Sequence, residues 1–248
     1  MQEGFRMSIT AIQAVSPRSI HRYAAGAPAA RQRPEADGRG NISLLRSSDT
    51  TLKFERNQTI YSEGERALFS YRVVSGAVRL CKIFSDGRRQ ISDFCLAGDF
   101  FGFASPDDYT LTAEAVNDTI LVRYSSGQID CLGQTSPDLR DQLMALLYRG
   151  LSDARNHLFM LGRQTVKERV SSFLLMMLER QGCAGRTGDR LDLPMGRQDI
   201  ADYLGLTIET VCRALSDLKR AGVISAPSKR AIIVKNAGLL RAMALGEA

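Results

Sequence analysis

Apolar and polar residues alternate in short runs between positions 51 and 136, at 59–61, 70–74, 77–84, 90–95, 111–115 and 119–124. A period of two is the mark of a strand with one face buried. The runs are separated by Glu63-Gly64-Glu65, Ser75-Gly76, Ser85-Asp86-Gly87 and Ala97-Gly98-Asp99, and Asp-Gly between two alternating runs is a strong hairpin signal. Many short strands at this spacing predict an antiparallel barrel or jelly roll.

The period changes at Pro137. Leu139, Leu143, Leu146, Leu147, Gly150, Leu151, Ala154, Leu158 and Leu161 recur in steps of three and four. They predict one long helix over 137–162, with Ser136 as its N-cap and Pro137 in its first turn. The stripe is longer than a small barrel beside it requires and has the spacing of a coiled-coil seam. Leu139, Leu143, Leu147, Gly150, Leu151, Ala154, Leu158 and Leu161 are therefore assigned to a homodimer contact, with packing inside the chain as the other reading. His157, near that stripe, reads as a packed side chain rather than a ligand. A second helix over 164–181 carries Val166, Val170, Phe173, Leu174 and Leu178 on one face.

Residues 197–220 read RQDIADYLGLTIETVCRALSDLKR. Two short helices that cross and bury their crossing need apolar residues at fixed places. Ile200, Leu204, Leu206, Val211 and Ala214 occupy them, Ala201 stands where the second helix passes over the first, and Gly205 stands in the turn, where a positive φ is wanted. This is a helix-turn-helix. Thr207 caps its second helix, whose exposed face presents Thr207, Ile208, Glu209, Cys212 and Arg213, and in this motif that face enters the major groove of double-stranded DNA. Arg213 can donate to guanine O6 and N7, and Glu209 can accept from cytosine N4. The two are also four residues apart, so an ordinary helix-surface ion pair is the alternative. Runs at 223–224 and 231–234 form two short strands of a wing around Pro227-Ser228-Lys229-Arg230. Arg197, Lys219, Arg220, Lys229 and Arg230 are assigned to phosphates, which position a protein without specifying sequence.

Composition adds a direction. The 248-residue chain has a formal charge of +6, a mild bias toward polyanions. Divided by segment, residues 1–50 carry seven basic and four acidic side chains, 51–136 nine and eleven, and 137–248 seventeen and twelve. The middle repels polyanions and the C-terminal part attracts them. Residues 1–45 lack sustained periodicity and read as a disordered tail. The domains predicted after it are a β-roll over 46–135, the dimerisation helix over 136–162 and the winged helix-turn-helix over 163–248. The five cysteines have no metal-cluster spacing, so a structural zinc site is not expected, and no residue pattern calls for a cofactor. No run of eighteen apolar residues suggests a membrane span, and a cytoplasmic protein with reduced thiols is expected. GxGxxG, GxxxxGK[ST], HExxH and GxSxG are all missing, so no enzyme activity is expected.

With GDFFGF ahead of a long helix and LPMGRQDIADYLGLTIETVCRALSDLKRAGVI after it, the chain resembles the CRP/FNR superfamily of bacterial transcription regulators, most closely the FixK-like and FNR-like branch. The likeness spans about residues 50–240. It implies an α+β protein with an N-terminal antiparallel β jelly roll of the cyclic-nucleotide-binding type, and a homodimer holding two winged helices over a palindrome. The family's Glu-x-x-Ser-Arg readout falls on Glu209, Cys212 and Arg213 and implies TTGA-like half-sites. The family also implies contact with RNA polymerase, for which Ser85, Asp86, Gly87 and Arg88 are candidates, a solvated turn being the other reading.

Three departures narrow this expectation. Gly102-Phe103 and Leu111-Thr112 stand where cyclic-AMP sensors of the family carry Gly-Glu and Arg-Ser, and a buried cyclic phosphate without the arginine would lack its counter-charge. No cysteine precedes Cys81, against an iron–sulfur centre, and residues 51–136 contain no histidine for a haem. An effector-independent regulator is expected, the alternative being a sensor of an unidentified small molecule in the β-roll. Cys212, in place of the usual serine, either is a small residue beside a thymine methyl or is a redox switch, since an oxidised sulfur there would collide with DNA.

Overall fold

The computed structural model describes residues 50–247 except 104–106, 128, 130–133, 135 and 184–188. The tail expected over 1–45 lies outside the described residues.

The alternating runs fold as predicted, with two additions. Strands β1 (Thr50–Phe54), β2 (Thr59–Tyr61), β3 (Phe69–Ser75), β4 (Ala77–Ile83), β5 (Arg89–Leu96), β6 (Phe100–Phe101), β7 (Thr112–Ala115) and β8 (Thr119–Ser125) form two antiparallel four-stranded sheets. Their orders are β1-β8-β3-β6 and β2-β7-β4-β5. The alternating pattern does not reveal β1 or β6; β6 is two phenylalanines, too short to show a period. Between the sheets lies a core of Tyr61, Tyr71, Val73, Val78, Cys95, Phe101, Tyr109, Ala113 and Leu121. Gly76, at φ +87°, lets β3 turn into β4 where a Cβ would come within 2.5 Å of Asp118 O.

The β4 sequence, AVRLCKI, breaks alternation because both of its faces are covered. Val78 and Leu80 point into the barrel, whereas Ala77 and Cys81 face outward into a second core shared with the C-terminal helices. Helix α1 (Pro137–Arg163) starts as predicted: Ser136 Oγ accepts from Leu139 N, and Pro137 opens the first turn. It is followed by α2 (Val166–Cys183), β9 (Arg190–Asp192), α3 (Arg197–Leu204), α4 (Ile208–Arg220), β10 (Ile224–Ser225), β11 (Ala231–Val234) and α5 (Ala237–Leu245). The wing is three-stranded, in the order β10-β11-β9. Its third strand is not evident from periodicity because Arg190-Leu191-Asp192 offers one apolar residue. Phe94 of β5 meets Phe173 of α2 at 6.5 Å and Tyr203 of α3 at 5.5 Å between ring centroids. The outer face of the β-roll and the helix-turn-helix thus share one core.

Candidate nucleic-acid interface

The helix-turn-helix forms by the predicted constraints. Ile200, Ala201, Leu204 and Val211 are at most 2% exposed, and Ala214 is also buried. Gly205 adopts φ +62° and donates its amide to Ala201 O, closing α3, and Leu206 N donates to the same oxygen at 3.0 Å. A Cβ on Gly205 would stand 3.4 Å from Leu161 Cδ2 of α1, an ordinary contact, so it is the positive φ that asks for glycine here.

Thr207 caps α4, its Oγ1 accepting from Thr210 N at 3.2 Å. Beyond the cap, Ile208, Glu209, Cys212 and Arg213 all face solvent, on a helix whose other face buries Val211, Ala214, Leu215 and Leu218. Among the described residues no ion pair joins Glu209 to Arg213, so neither holds the other away from base edges. The Glu209 carboxyl is held below the usual carboxylate range by its own backbone N–H and by the Thr207 hydroxyl. It is an acceptor at neutral pH, as a cytosine amino group requires.

The cations assigned to phosphates divide. Lys229 and Arg230 are exposed at the wing tip, which Ser228 Oγ shapes by accepting from Arg230 N and Ala231 N. Lys219 and Arg220 lie in the last turn of α4, about 15 Å along the axis from Glu209 at 1.5 Å per residue, and Arg220 pairs with Asp217. Arg197 is half-buried; burial pushes its guanidinium down from its ordinary value. Its Nη1 has no hydrogen-bond partner and no access to solvent.

The long helix α1 has two faces. Leu139, Leu143 and Leu146 pack on Phe100, Val122 and Tyr124 of the β-roll, and Leu161 lies against the Gly205 turn, so these members of the stripe are engaged within the chain. Leu147 and Leu151 are about half exposed and Leu158 two-thirds exposed, along with Met144, Tyr148 and Phe159; Gly150 and Ala154 are exposed beside them. His157 is buried, its ring stacked on Tyr203 at 4.0 Å with Nε2 2.8 Å from Tyr203 O, as its reading as a packed side chain expects. The Ser85-Asp86-Gly87-Arg88 turn is a tight hairpin tip. Phe84 N donates to Arg88 O, and Asp86 accepts from the Arg88 backbone and guanidinium.

Periodicity and motif spacing do not foretell the ionic cluster that ties α3 to the β-roll. Arg79 of β4 reaches Glu114 at 2.8 Å and Asp199 at 3.1 Å. Arg89 of β5 reaches Asp199 at 2.9 Å and Asp202 at 2.7 Å. Burial, the largest single influence, would lower the Arg89 pKa, but the hydrogen bond and charge of Asp202 and the charge of Asp199 together leave it raised. At the other end of α3, Gln90 Nε2 donates to Tyr203 O and Arg169 Nη1 to Leu204 O. One signal was available: an arginine inside a strand covered on both faces must have a partner.

Two family models match the chain, the cyclic nucleotide-binding domain over residues 51–136 and the Crp-like helix-turn-helix domain over 168–243. The chain is 44% identical over 193 residues to the nitrogen fixation regulation protein FixK of Azorhizobium caulinodans, covering 77% of this chain and 78% of that one. It is 35% identical to the transcriptional activatory protein AadR of Rhodopseudomonas palustris, over 70% of this chain and 72% of that one. The solved structure of FixK2 from Bradyrhizobium japonicum superposes with a TM-score of 0.75 at 39% identity, covering 79% of this chain and 96% of that one.

The chain belongs to the CRP/FNR regulators, in the FixK-like group. Such a FixK-like transcription regulator carries its DNA-binding function in the helix-turn-helix, of which α4 is the second helix. Among the described residues no helix is long and apolar enough to cross a membrane.

Proposed function

We propose that this FixK-like regulator binds DNA as a homodimer at a palindrome of TTGA-like half-sites, and activates transcription by contacting RNA polymerase, without cyclic AMP or an iron–sulfur cluster. The observation that carries the base reading is that Glu209 and Arg213, one turn apart on the solvent face of α4, are not paired with each other. A bidentate arginine on guanine contributes about 1–3 kcal/mol of discrimination. The exposed stripe from Met144 to Phe159 on α1 supports the dimer, since large apolar side chains at helical spacing favour a partner helix. The hairpin tip at 85–88 is exposed and closed by its own hydrogen bonds, which supports its assignment to a polymerase contact.

Independence of cyclic AMP is supported by what fills the β-roll. Tyr61 stacks on Tyr109 at 3.6 Å and on Tyr71 at 5.8 Å, and Tyr71 stacks on Phe101 at 5.3 Å. Gly102 follows that stack, so close that a Cβ would lie 3.2 Å from Tyr71 Cδ2. The barrel interior is thus occupied by its own rings, beside positions without the arginine a phosphate would need.

Selection of bound sequences from random duplexes at fixed salt tests the proposal. The wild type should recover paired TTGA-like half-sites. Arg213→Ala should lose about 1–3 kcal/mol per half-site and relax preference at the G·C pair; an intact preference in that variant overturns the readout. A melting temperature or DNA affinity that moves with added cyclic AMP would instead favour a sensor.

A further inference from the structure

Three segments distant in sequence send donors to the carboxyl end of α3, the first helix of the helix-turn-helix. Gln90 of β5 donates to Tyr203 O at 3.2 Å, and Arg169 of α2 donates to Leu204 O at 3.0 Å. The third donor is His157 of α1, whose Nε2 stands 2.8 Å from Tyr203 O. A carbonyl oxygen only accepts, so Nε2 carries the proton. The last carbonyls of a helix have no partner inside it, and here other elements supply one.

His157 is the donor that comes from the helix with the open apolar stripe. It lies on the opposite side of α1 from that stripe: it is 8% exposed, whereas Leu158 beside it is 67% exposed. Its ring stacks on the Tyr203 ring with 4.0 Å between centroids and 5° between planes. Arg169 closes the same junction, since one guanidinium donates to Leu161 O and Gln164 O at the end of α1 and to Leu204 O at the end of α3. Only Gly205 and Leu206 separate α3 from Thr207, the cap of α4. Apolar packing tolerates small slides and turns, but a hydrogen bond weakens steeply as its angle departs from linear.

In a dimer held through α1, whatever fixes α4 to α1 in each protomer also fixes the distance and angle between the two copies of α4. Duplex DNA translates that geometry into base pairs. One more pair between half-sites moves them apart by about 3.4 Å and turns one against the other by roughly 35°. We propose that His157 is a positioning residue for half-site spacing, its hydrogen bond to Tyr203 O holding the helix-turn-helix at one angle to the dimer helix. The protein then accepts one separation of half-sites and rejects its neighbours. The proposal rests on the reading of the chain as a homodimer on a palindrome. His157 acts through Tyr203, and so contributes to the choice of DNA site from the side of α3 remote from α4's exposed face.

The test measures binding of the full chain to duplexes that carry two identical half-sites at every separation over one helical turn. The wild type should prefer one separation and bind those one base pair longer or shorter several-fold more weakly. His157→Phe keeps a ring against Tyr203 but has no donor. It should stay dimeric in sedimentation, keep its base preference within each half-site, and bind the neighbouring separations nearly as well as the best one. If it lacks a cooperative melt, His157→Leu serves as the donor-free variant. His157→Gln gives up the ring but keeps a donor near the place of Nε2, and should restore the single separation. An unchanged spacing profile in the folded donor-free variant overturns the proposal. So does an affinity loss equal at all separations, the mark of a residue that only stabilises the fold. Equal broadening in His157→Gln also overturns it, because the ring and not the hydrogen bond would then be responsible. A wild type that binds every separation alike overturns the homodimer reading and the proposal with it, so the wild type alone tells the two failures apart.

Discussion

Chemically alike residues differ here by what surrounds them. Cys212 is exposed on α4, whereas Cys81 and Cys95 are buried. Burial, with the Glu114 charge added, pushes the Cys81 thiol up to about 11, and burial also raises that of Cys95. Since the thiolate is the reactive form, brief alkylation at neutral pH should modify Cys212 and spare Cys81 and Cys95, as peptide mass mapping would report. If the sulfur at 212 also governs binding, peroxide should weaken DNA affinity of the wild type and leave Cys212→Ser unaffected; equal loss in both removes the redox reading. The candidate residues on α4 were legible because a helix-turn-helix fixes which side of its second helix is free. The partners of Arg79 and Arg89 were not legible, because Asp199 and Asp202 lie more than a hundred residues away and meet them only in the folded chain.

At the scale of elements, the clearest case is α1. Its stripe is evident in sequence, and its start follows from Ser136 and Pro137, but sequence spacing could not divide the stripe between two partners. Leu139 and Leu143 cover the end of the β-roll, while Leu147, Leu151 and Leu158 remain on an open face. A charge on the open face should therefore prevent association without unfolding the chain. Leu151→Glu combined with Leu158→Glu is expected to sediment as a folded monomer and to lose nearly all affinity for the proposed palindrome, whereas the wild type is expected to sediment as a dimer. A double variant that stays dimeric would show that the open face meets something else. Strands β6 and β9 were not legible for a complementary reason: two or three residues show no period, and their pairing partners, β3 and β11, are distant in sequence.

Across the whole molecule, the β-roll and the DNA-binding helices are joined by an apolar core around Phe94, Phe173 and Tyr203 and by the cluster of Arg79, Arg89, Glu114, Asp199 and Asp202. The Arg79 side chain is 7% exposed. Removing one member of a buried pair leaves its partners' charges uncompensated, at a cost of about 3–5 kcal/mol. Arg79→Ala should lose stability of that order in urea unfolding, and its calorimetric melt should separate into β-roll and helix-turn-helix transitions. A single transition at the wild-type midpoint would mean that the cluster does not couple the domains.

Local periodicity and turn chemistry in the sequence were enough to determine the alternating strands, the two long helices, the helix-turn-helix and the exposed face of its second helix, because each of these depends on residues within a few positions of one another. The tertiary structure decided which half of the α1 stripe is covered, why β4 is buried on both faces, that tyrosine rings fill the barrel, and that Arg79 and Arg89 of the β-roll meet Asp199 and Asp202 of α3. Those features depend on burial and on charges brought together from segments distant in sequence, such as Arg79 and Asp199, whose energies exist only once the chain has folded.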